Sequence, residues 1–115
     1  MGCLFCSIIA GTTPSTKVYE NDRVYAFEDI NPQAPVHVLV IHREHIEKIE
    51  ELDEENCGII SDLFLAVRKV AKIKGLDENG YRVIINNGTA AGQVIWHLHV
   101  HVLGGKENMG PMLAR

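Results

Sequence analysis

Histidine and aliphatic residues alternate in one segment near the end of the chain, and this alternation constrains the fold more than any other feature. The segment reads His97-Leu98-His99-Val100-His101-Val102. Successive side chains of a β-strand point to opposite faces of its sheet, so the pattern predicts a strand with one apolar face and one imidazole face. We expect the strand to run from Trp96 to Leu103. Its apolar face requires a second layer of structure to cover it.

A long amphipathic helix between Asp53 and Gly75 is the predicted second layer. Asp53 suits the N-cap position and Gly75 suits a left-handed C-terminal cap, with basic side chains gathered in the last turns. Apolar residues recur at three- and four-residue spacing and should form one stripe that packs on a sheet. The residues of this stripe are Ile60, Leu63, Phe64, Val67, Val70 and Ala71. Cys57 lies near the stripe, and we expect it to be a small buried residue.

Further strands are predicted wherever β-branched and aromatic residues cluster between turn signals. These runs cover residues 18–20, 24–27, 37–41 and 81–86, and a short N-terminal helix is expected over residues 5–10. Strands in quick succession with one amphipathic helix indicate an α+β fold with an antiparallel sheet of about five strands. The length suits one domain, which we expect to span residues 1–115.

Composition and charge argue against several classes of function. A net charge of −4, with no basic stripe, argues against a nucleic-acid partner. No apolar run is long enough to cross a membrane and the N-terminus lacks the regions of a secretory signal, so we expect a cytoplasmic protein with no membrane partner. The three cysteines favour a metal site or free thiols over disulfides.

The imidazole face of the last strand has three interpretations. It is a solvated strand face, a metal site, or a site of phosphoryl or nucleotidyl chemistry; histidines at alternate strand positions can share one ion. Glycine-bearing segments at 86–92 and 104–105 flank the strand and let backbone N–H groups approach an anion, which favours phosphate. Imidazole is mostly neutral at pH 7 and can attack phosphorus without a separate strong base.

The pair Cys3-x-x-Cys6 forms half of a structural zinc site. Such a site is tetrahedral and needs two more ligands, for which His45 and His97 are the candidates. The alternative is a pair of reduced thiols near a flexible terminus.

Two further histidines lie in or just after the strand predicted at 37–41. We expect His42 to stay exposed to solvent. On its strand position alone, His37 can be a hydrogen-bonded histidine of the core.

The chain resembles the histidine triad (HIT) superfamily, whose signature alternates three histidines with apolar residues as at 97–103. The segment 27–37 with its Pro-Gln-Ala-Pro, the run 81–88 and the sequence Leu103-Gly104-Gly105 are similar to the branch of histidine triad nucleotide-binding proteins. The resemblance covers almost the whole chain. It implies a HIT-like homodimer whose sheet continues across the interface. The implied activity is that of a purine nucleoside phosphoramidase or nucleotide hydrolase, which cleaves a bond at the α-phosphate through a nucleotidyl-histidine intermediate.

The resemblance also implies roles for individual residues. His99 would be the nucleophile, His101 would contact the phosphate and assist the leaving group, and His37 would orient a catalytic imidazole. The nucleotide, of AMP or GMP type, would touch Phe5, Ile8, Phe27, Asp29, Ile30, Asn86, Gly92, Val94, His99 and His101. In that set Asp29 would hold the ribose hydroxyls. Structural zinc would be bound by Cys3, Cys6, His45 and His97.

Val94 departs from the pattern of this branch, whose members often carry a serine there. Valine offers the phosphate only its backbone N–H. Hydrogen bonds to charged groups contribute about 1.5–3 kcal/mol, so the loss should slow turnover by about ten- to a hundredfold. Two alternatives stay open: a nucleotide-binding regulatory protein with little turnover, and a metallohydrolase with zinc at the triad itself.

Overall fold

The computed structural model, which describes residues 2–113, confirms an α+β fold with one antiparallel five-stranded sheet. The helices are α1 (Leu4–Ala10) and α2 (Gly58–Ile73), and the strands are β1 (Lys17–Glu20), β2 (Val24–Glu28), β3 (Val36–His42), β4 (Arg82–Ile84) and β5 (His99–Gly104). Single 3-10 turns lie at Ile49–Glu51 and Thr89–Ala91. The strand order is β1-β2-β3-β5-β4, so the histidine-bearing strand lies inside the sheet.

The strand β5 begins later than the alternation predicts. Its ladder with β3 starts at the pair Ile41 and His99, and β3 ends at His42. Residues 96–98, which precede His99, therefore do not pair with β3. The Leu98 N–H donates instead to the carbonyl of Ile46 at 2.8 Å. The prediction of a strand from Trp96 was wrong for its first three residues because the partner strand has already turned away.

The apolar face of β5 packs on α2, as its alternation predicts. Leu98, Val100 and Val102 are almost completely buried together with Leu63 and Val70 of the helix. Gly75 follows the helix with a φ of +72°, and the next N–H, from residue 76, reaches back to the carbonyl of residue 71 at 2.8 Å. The predicted left-handed end of the helix is therefore confirmed.

The beginning of α2 differs from the prediction. Asp53 Oδ1 accepts the N–H groups of Glu55 and Asn56 at 2.8 and 2.9 Å, which closes a separate turn before the helix. The helix itself starts at Gly58, and this delay leaves Cys57 exposed; its predicted burial was wrong. Phe64 was also assigned wrongly to the packed stripe, since its side chain is 46% exposed.

A smaller apolar cluster lies on the other face of the sheet. Phe5 and Ile8 of α1 pack there against Phe27, Leu39 and Ile41. The helix has only seven residues and is closed by Gly11 in a left-handed conformation. Because β3 and β5 present their odd-numbered side chains on this face, α1 lies directly beside the histidines.

His42 is buried, so its predicted exposure was wrong. It shares the strand face of Val38 and Val40, which α2 covers, and is 7% exposed. The Glu44 N–H donates to His42 Nδ1 at 3.0 Å, so the proton of the neutral ring lies on Nε2, which donates to Asp62 Oδ2 at 2.9 Å. This hydrogen bond ties the end of β3 to α2.

Among the described residues, no helix combines the length and apolar character that crossing a membrane requires.

We expect Asp62→Ala to lower the free energy of unfolding by about 1–3 kcal/mol, because it leaves the buried His42 N–H without an acceptor. Arg23→Gln is the matched control, since Arg23 contacts the same carboxylate at 3.2 Å from an exposed position. An exposed ion pair contributes about 0–1 kcal/mol, so this control should change stability less. Urea denaturation measures both variants, and equal losses would contradict the importance of the buried hydrogen bond.

Candidate active site and metal centre

The three alternating histidines lie on the sheet face opposite α2, as predicted. His97 is 1% exposed, His99 is 9% exposed and His101 is half-buried. Although they share a face, each imidazole has different hydrogen-bond partners. These partners determine which ring nitrogen carries the proton and therefore what each ring can do.

His99 has its lone pair on Nε2. Its Nδ1 lies 2.8 Å from the backbone carbonyl oxygen of His97. A carbonyl oxygen can only accept, so Nδ1 carries the hydrogen and Nε2 does not. Burial lowers the pKa of His99 below its usual value, which keeps the ring neutral at pH 7. A neutral imidazole with a fixed lone pair can act as a nucleophile.

His101 has the opposite arrangement, which a short relay of hydrogen bonds imposes. The Gln33 N–H donates to His37 Nδ1 at 3.0 Å, so the hydrogen of His37 lies on Nε2. That Nε2 lies 2.9 Å from His101 Nδ1, which accepts and leaves His101 with its hydrogen on Nε2. Burial, and then the neighbouring His99 and His37, lower the pKa of His101 to about 4. His101 is therefore a neutral donor at pH 7.

Asp29 lies beside the contact between His37 and His101. Its Oδ2 is 3.3 Å from His37 Nε2, and its Oδ1 accepts the Asn31 N–H at 2.8 Å. His37 is 4% exposed, so it is a hydrogen-bonded buried histidine that also orients His101. Both interpretations of His37 therefore describe the same geometry.

A cavity of about 490 Å³ opens beside the relay. All residues predicted to bind a nucleotide line it, namely Phe5, Ile8, Phe27, Asp29, Ile30, Asn86, Gly92, Val94, His99 and His101. Ile30 and Val94 are largely exposed and form its rim. The lining also includes Leu39, Gln33 and Ile95, which were not among the predicted site residues. Leu39 follows His37 by two residues on one strand, so strand alternation would have placed it on the same face.

The two cysteines, His45 and His97 form a second cluster on the other side of α1. Their ligand atoms lie within 4.8 Å of one another. The Nδ1 of His97 is 3.4 Å from Cys3 Sγ, 3.6 Å from Cys6 Sγ and 3.1 Å from His45 Nδ1. Cys6 Sγ also lies 3.4 Å from His45 Nδ1.

These separations fit a tetrahedral metal ion. Zinc with Zn–S bonds of about 2.3 Å and Zn–N bonds of about 2.0–2.1 Å requires N···S separations of about 3.5 Å and N···N separations of about 3.3 Å. His97 Nε2 lies 2.8 Å from the carbonyl oxygen of His42, so it carries the hydrogen and the lone pair of Nδ1 faces the cysteines. The cluster can therefore hold a metal ion with little rearrangement.

A second group of possible ligands, Asp29, His37 and His101, lies within the relay. His37 Nε2 already carries a hydrogen there, because the Gln33 N–H occupies the Nδ1 lone pair. A protonated nitrogen is not a ligand. In the triad itself, His97 and His99 direct their lone pairs to different clusters, so the geometry does not favour one ion shared by all three histidines.

Known proteins resemble this chain in sequence over most of its length. The profile of the HIT domain matches residues 10–108. The purine nucleoside phosphoramidase of Escherichia coli (strain K12) is 40% identical over 111 residues, which cover 96% of this chain and 92% of that protein. The 14 kDa zinc-binding protein of Zea mays is 43% identical over 110 residues, covering 94% of this chain and 85% of that protein.

Solved structures show the same fold. A HIT family hydrolase from Clostridium thermocellum superimposes with a TM-score of 0.93 at 51% identity, covering 98% of this chain and 97% of that one. A histidine triad protein from Clostridium difficile gives a TM-score of 0.91 at 45% identity, with 96% of each chain covered.

We expect the free energy of unfolding to decrease as the pH falls from about 6.5 towards 4, partly because of His101. Its pKa is about 4 in the folded protein against an ordinary 6.5, so over this interval the unfolded chain binds a proton that the folded protein does not. One such group contributes at most about 1.4 kcal/mol per pH unit, and partial exposure reduces this.

His101→Asn retains an acceptor for His37 but removes the titrating ring, so its stability should fall less steeply with pH. Urea denaturation of both proteins at several pH values between 7 and 4.5 measures the two slopes. Identical slopes would contradict the burial of a neutral His101.

Proposed function

The chain belongs to the HIT family, and on that premise we propose that it is a purine nucleoside phosphoramidase acting on substrates of AMP or GMP type. Its relatives include HIT family hydrolases and a phosphoramidase, which support a hydrolase activity. The observation that carries the proposal is the opposite proton placement on two neighbouring rings. His99 offers a lone pair on Nε2 and His101 offers a hydrogen on Nε2, and both residues line one cavity.

We assign the nucleoside to the apolar side of this cavity. Phe5, Phe27 and Ile8 form a buried wall suited to a purine base, and Ile30 lies at its rim. The carboxylate of Asp29 is available to accept hydrogen bonds from ribose hydroxyls. The phosphate would then lie near His99, where Asn86, Gly92 and the backbone N–H of Val94 surround it.

The reaction has two steps. In the first, His101 takes up a proton from solvent, His99 Nε2 attacks the α-phosphorus, the P–N bond breaks, and the leaving nitrogen takes a proton from His101, which is neutral again. The negative charge of Asp29 favours the transiently protonated His101. In the second step, water attacks the nucleotidyl-histidine, His101 takes the proton of that water and returns it to solvent, and the nucleoside monophosphate leaves with His99 restored.

We expect the pure protein to release AMP from adenosine 5′-phosphoramidate, and His99→Ala to lower kcat/KM by about a thousandfold or more, because it removes the nucleophile. Cys57→Ser is the matched control, since Cys57 is exposed and outside the cavity. If the wild type released AMP no faster than His99→Ala does, the proposal would be wrong. Tight AMP binding with a turnover below about one per hour would favour the regulatory alternative.

Valine at position 94 should give a lower kcat than serine at the same position, without abolishing turnover. Its side chain is 81% exposed at the cavity rim and offers no hydrogen-bonding group. We expect Val94→Ser to raise kcat by about tenfold, because a hydroxyl would add one hydrogen bond to a charged group. Val94→Ala adds no hydroxyl and is the control. Steady-state kinetics with the same substrate measure both variants, and an equal gain in both would contradict this role.

We also propose that Cys3, Cys6, His45 and His97 hold a structural zinc ion. When bound, zinc would supply a fixed junction between α1 and the segments that follow β3 and precede β5, rather than reaction chemistry. Support comes from the tetrahedral separations and from relatives named as zinc-binding proteins.

We expect about one zinc per chain in the wild type and in His99→Ala, because His99 is not one of the four ligands. Cys3→Ser should lose most of the metal, whereas Cys57→Ser should retain it. Elemental analysis of the purified variants measures the content. Loss of zinc from His99→Ala would instead support a metal at the triad.

We further propose that the protein is a cytoplasmic homodimer whose sheet continues across β4. This strand forms a sheet edge with Val83 partly exposed, and α2 exposes Phe64 and Leu65. Burial of such apolar side chains is a common driving force for association. The unpaired cysteines fit a reducing compartment. Light scattering should give twice the chain mass of 12.8 kDa, and the monomer mass would exclude the dimer.

A further inference from the structure

The helix α1 belongs to both clusters at once. Cys3 is its N-cap residue and Cys6 lies in its first turns, and both thiols face His97 Nδ1. Phe5, which lies between the two cysteines in sequence, is 3% exposed and lines the nucleotide cavity. One short helix therefore carries two metal ligands on one side and part of the base pocket on the other.

This helix depends on its surroundings for stability. Isolated helices shorter than about 12 residues are marginal in water, and α1 has seven. Its buried contacts to the sheet come from Phe5 and Ile8, with Ile9 partly buried beside them. The centroid of the Phe5 ring lies 5.5 Å from that of Phe27 and 5.0 Å from that of His99. Two thiolate–metal bonds would add a second attachment and restrict the position of Phe5.

A second connection runs through His97. Its Nδ1 faces the cysteines, and its backbone carbonyl accepts the hydrogen of His99 Nδ1 at 2.8 Å. A metal ion at Nδ1 would hold the His97 residue whose carbonyl orients the proposed nucleophile. Both connections are short, and neither passes through the α2 side of the sheet.

We propose that the metal centre positions the nucleotide site, so that metal and nucleotide bind with positive coupling. Cys3 and Cys6 act through Phe5, and His97 acts through His99. The inference rests on the proposed function, because it takes the ligand of the cavity to be a nucleoside monophosphate. Coupling between two sites is reciprocal, so AMP should strengthen metal binding by the factor by which metal strengthens AMP binding.

The first experiment measures the Kd of AMP for zinc-loaded protein and for protein stripped with a chelator. We expect the stripped protein to bind AMP about tenfold more weakly, within the usual range for coupled sites. Equal Kd values would overturn the coupling. Failure of the zinc-loaded protein to bind AMP would overturn the proposed function instead, so the two failures are distinguishable.

A second measurement applies even if the stripped protein unfolds, because it starts from the folded, loaded state. Zinc release to a chromophoric chelator is followed with and without saturating AMP. AMP should slow the release about tenfold, and an unchanged rate would overturn the proposal. Inorganic phosphate is the control ligand. Because it cannot reach Phe5, an effect as large as that of AMP would overturn the connection through α1.

The variant Phe5→Ala tests the α1 connection directly. It retains all four ligands and should still bind about one zinc, yet AMP should slow its zinc release much less than in the wild type. Cys57→Ser, which changes a thiol outside both clusters, should keep the full effect of AMP. An undiminished effect in Phe5→Ala would show that Phe5 does not connect the sites.

Discussion

The ladder between β3 and β5 pairs Leu39 with His101 and Ile41 with His99, and both clusters depend on this register. Side chains alternate along a strand, so a slip of one residue would turn the histidines into the packed face under α2. Val100 and Val102 prevent that slip, because their burial against the helix would be lost. The packing of the core on one face therefore determines the chemistry on the other.

Backbone groups, more than side chains, decide the chemistry of the individual rings. The His97 carbonyl fixes the hydrogen of His99 on Nδ1, and the His42 carbonyl fixes the hydrogen of His97 on Nε2. The Gln33 N–H donates to His37 Nδ1, so the hydrogen of His37 lies on Nε2. These three contacts give His99 a lone pair toward the cavity, His97 a lone pair toward the cysteines, and His101 an N–H donor. Backbone contacts of this kind are rigid, so the proton positions are set before any ligand binds.

Several errors of the sequence interpretation have a common physical origin. Periodicity describes one element at a time, whereas burial depends on where the neighbouring element begins. Cys57 is exposed because the turn capped by Asp53 delays α2, and His42 is buried because β3 carries it under that helix. The structure does bring Cys3, Cys6, His45 and His97 together as the sequence predicted, because a Cys-x-x-Cys pair restricts the chemistry of its partners regardless of the fold.

The sequence by itself determined the two faces of β5, the layer that covers one of them, and the residues available for the chemistry. Alternation and helical periodicity are local properties, so local sequence is enough to predict them. Only the tertiary structure decided which ring nitrogen of each histidine carries the hydrogen and which offers a lone pair. Those positions depend on partners remote in the chain, such as the His42 carbonyl 55 residues before His97, which no local pattern specifies.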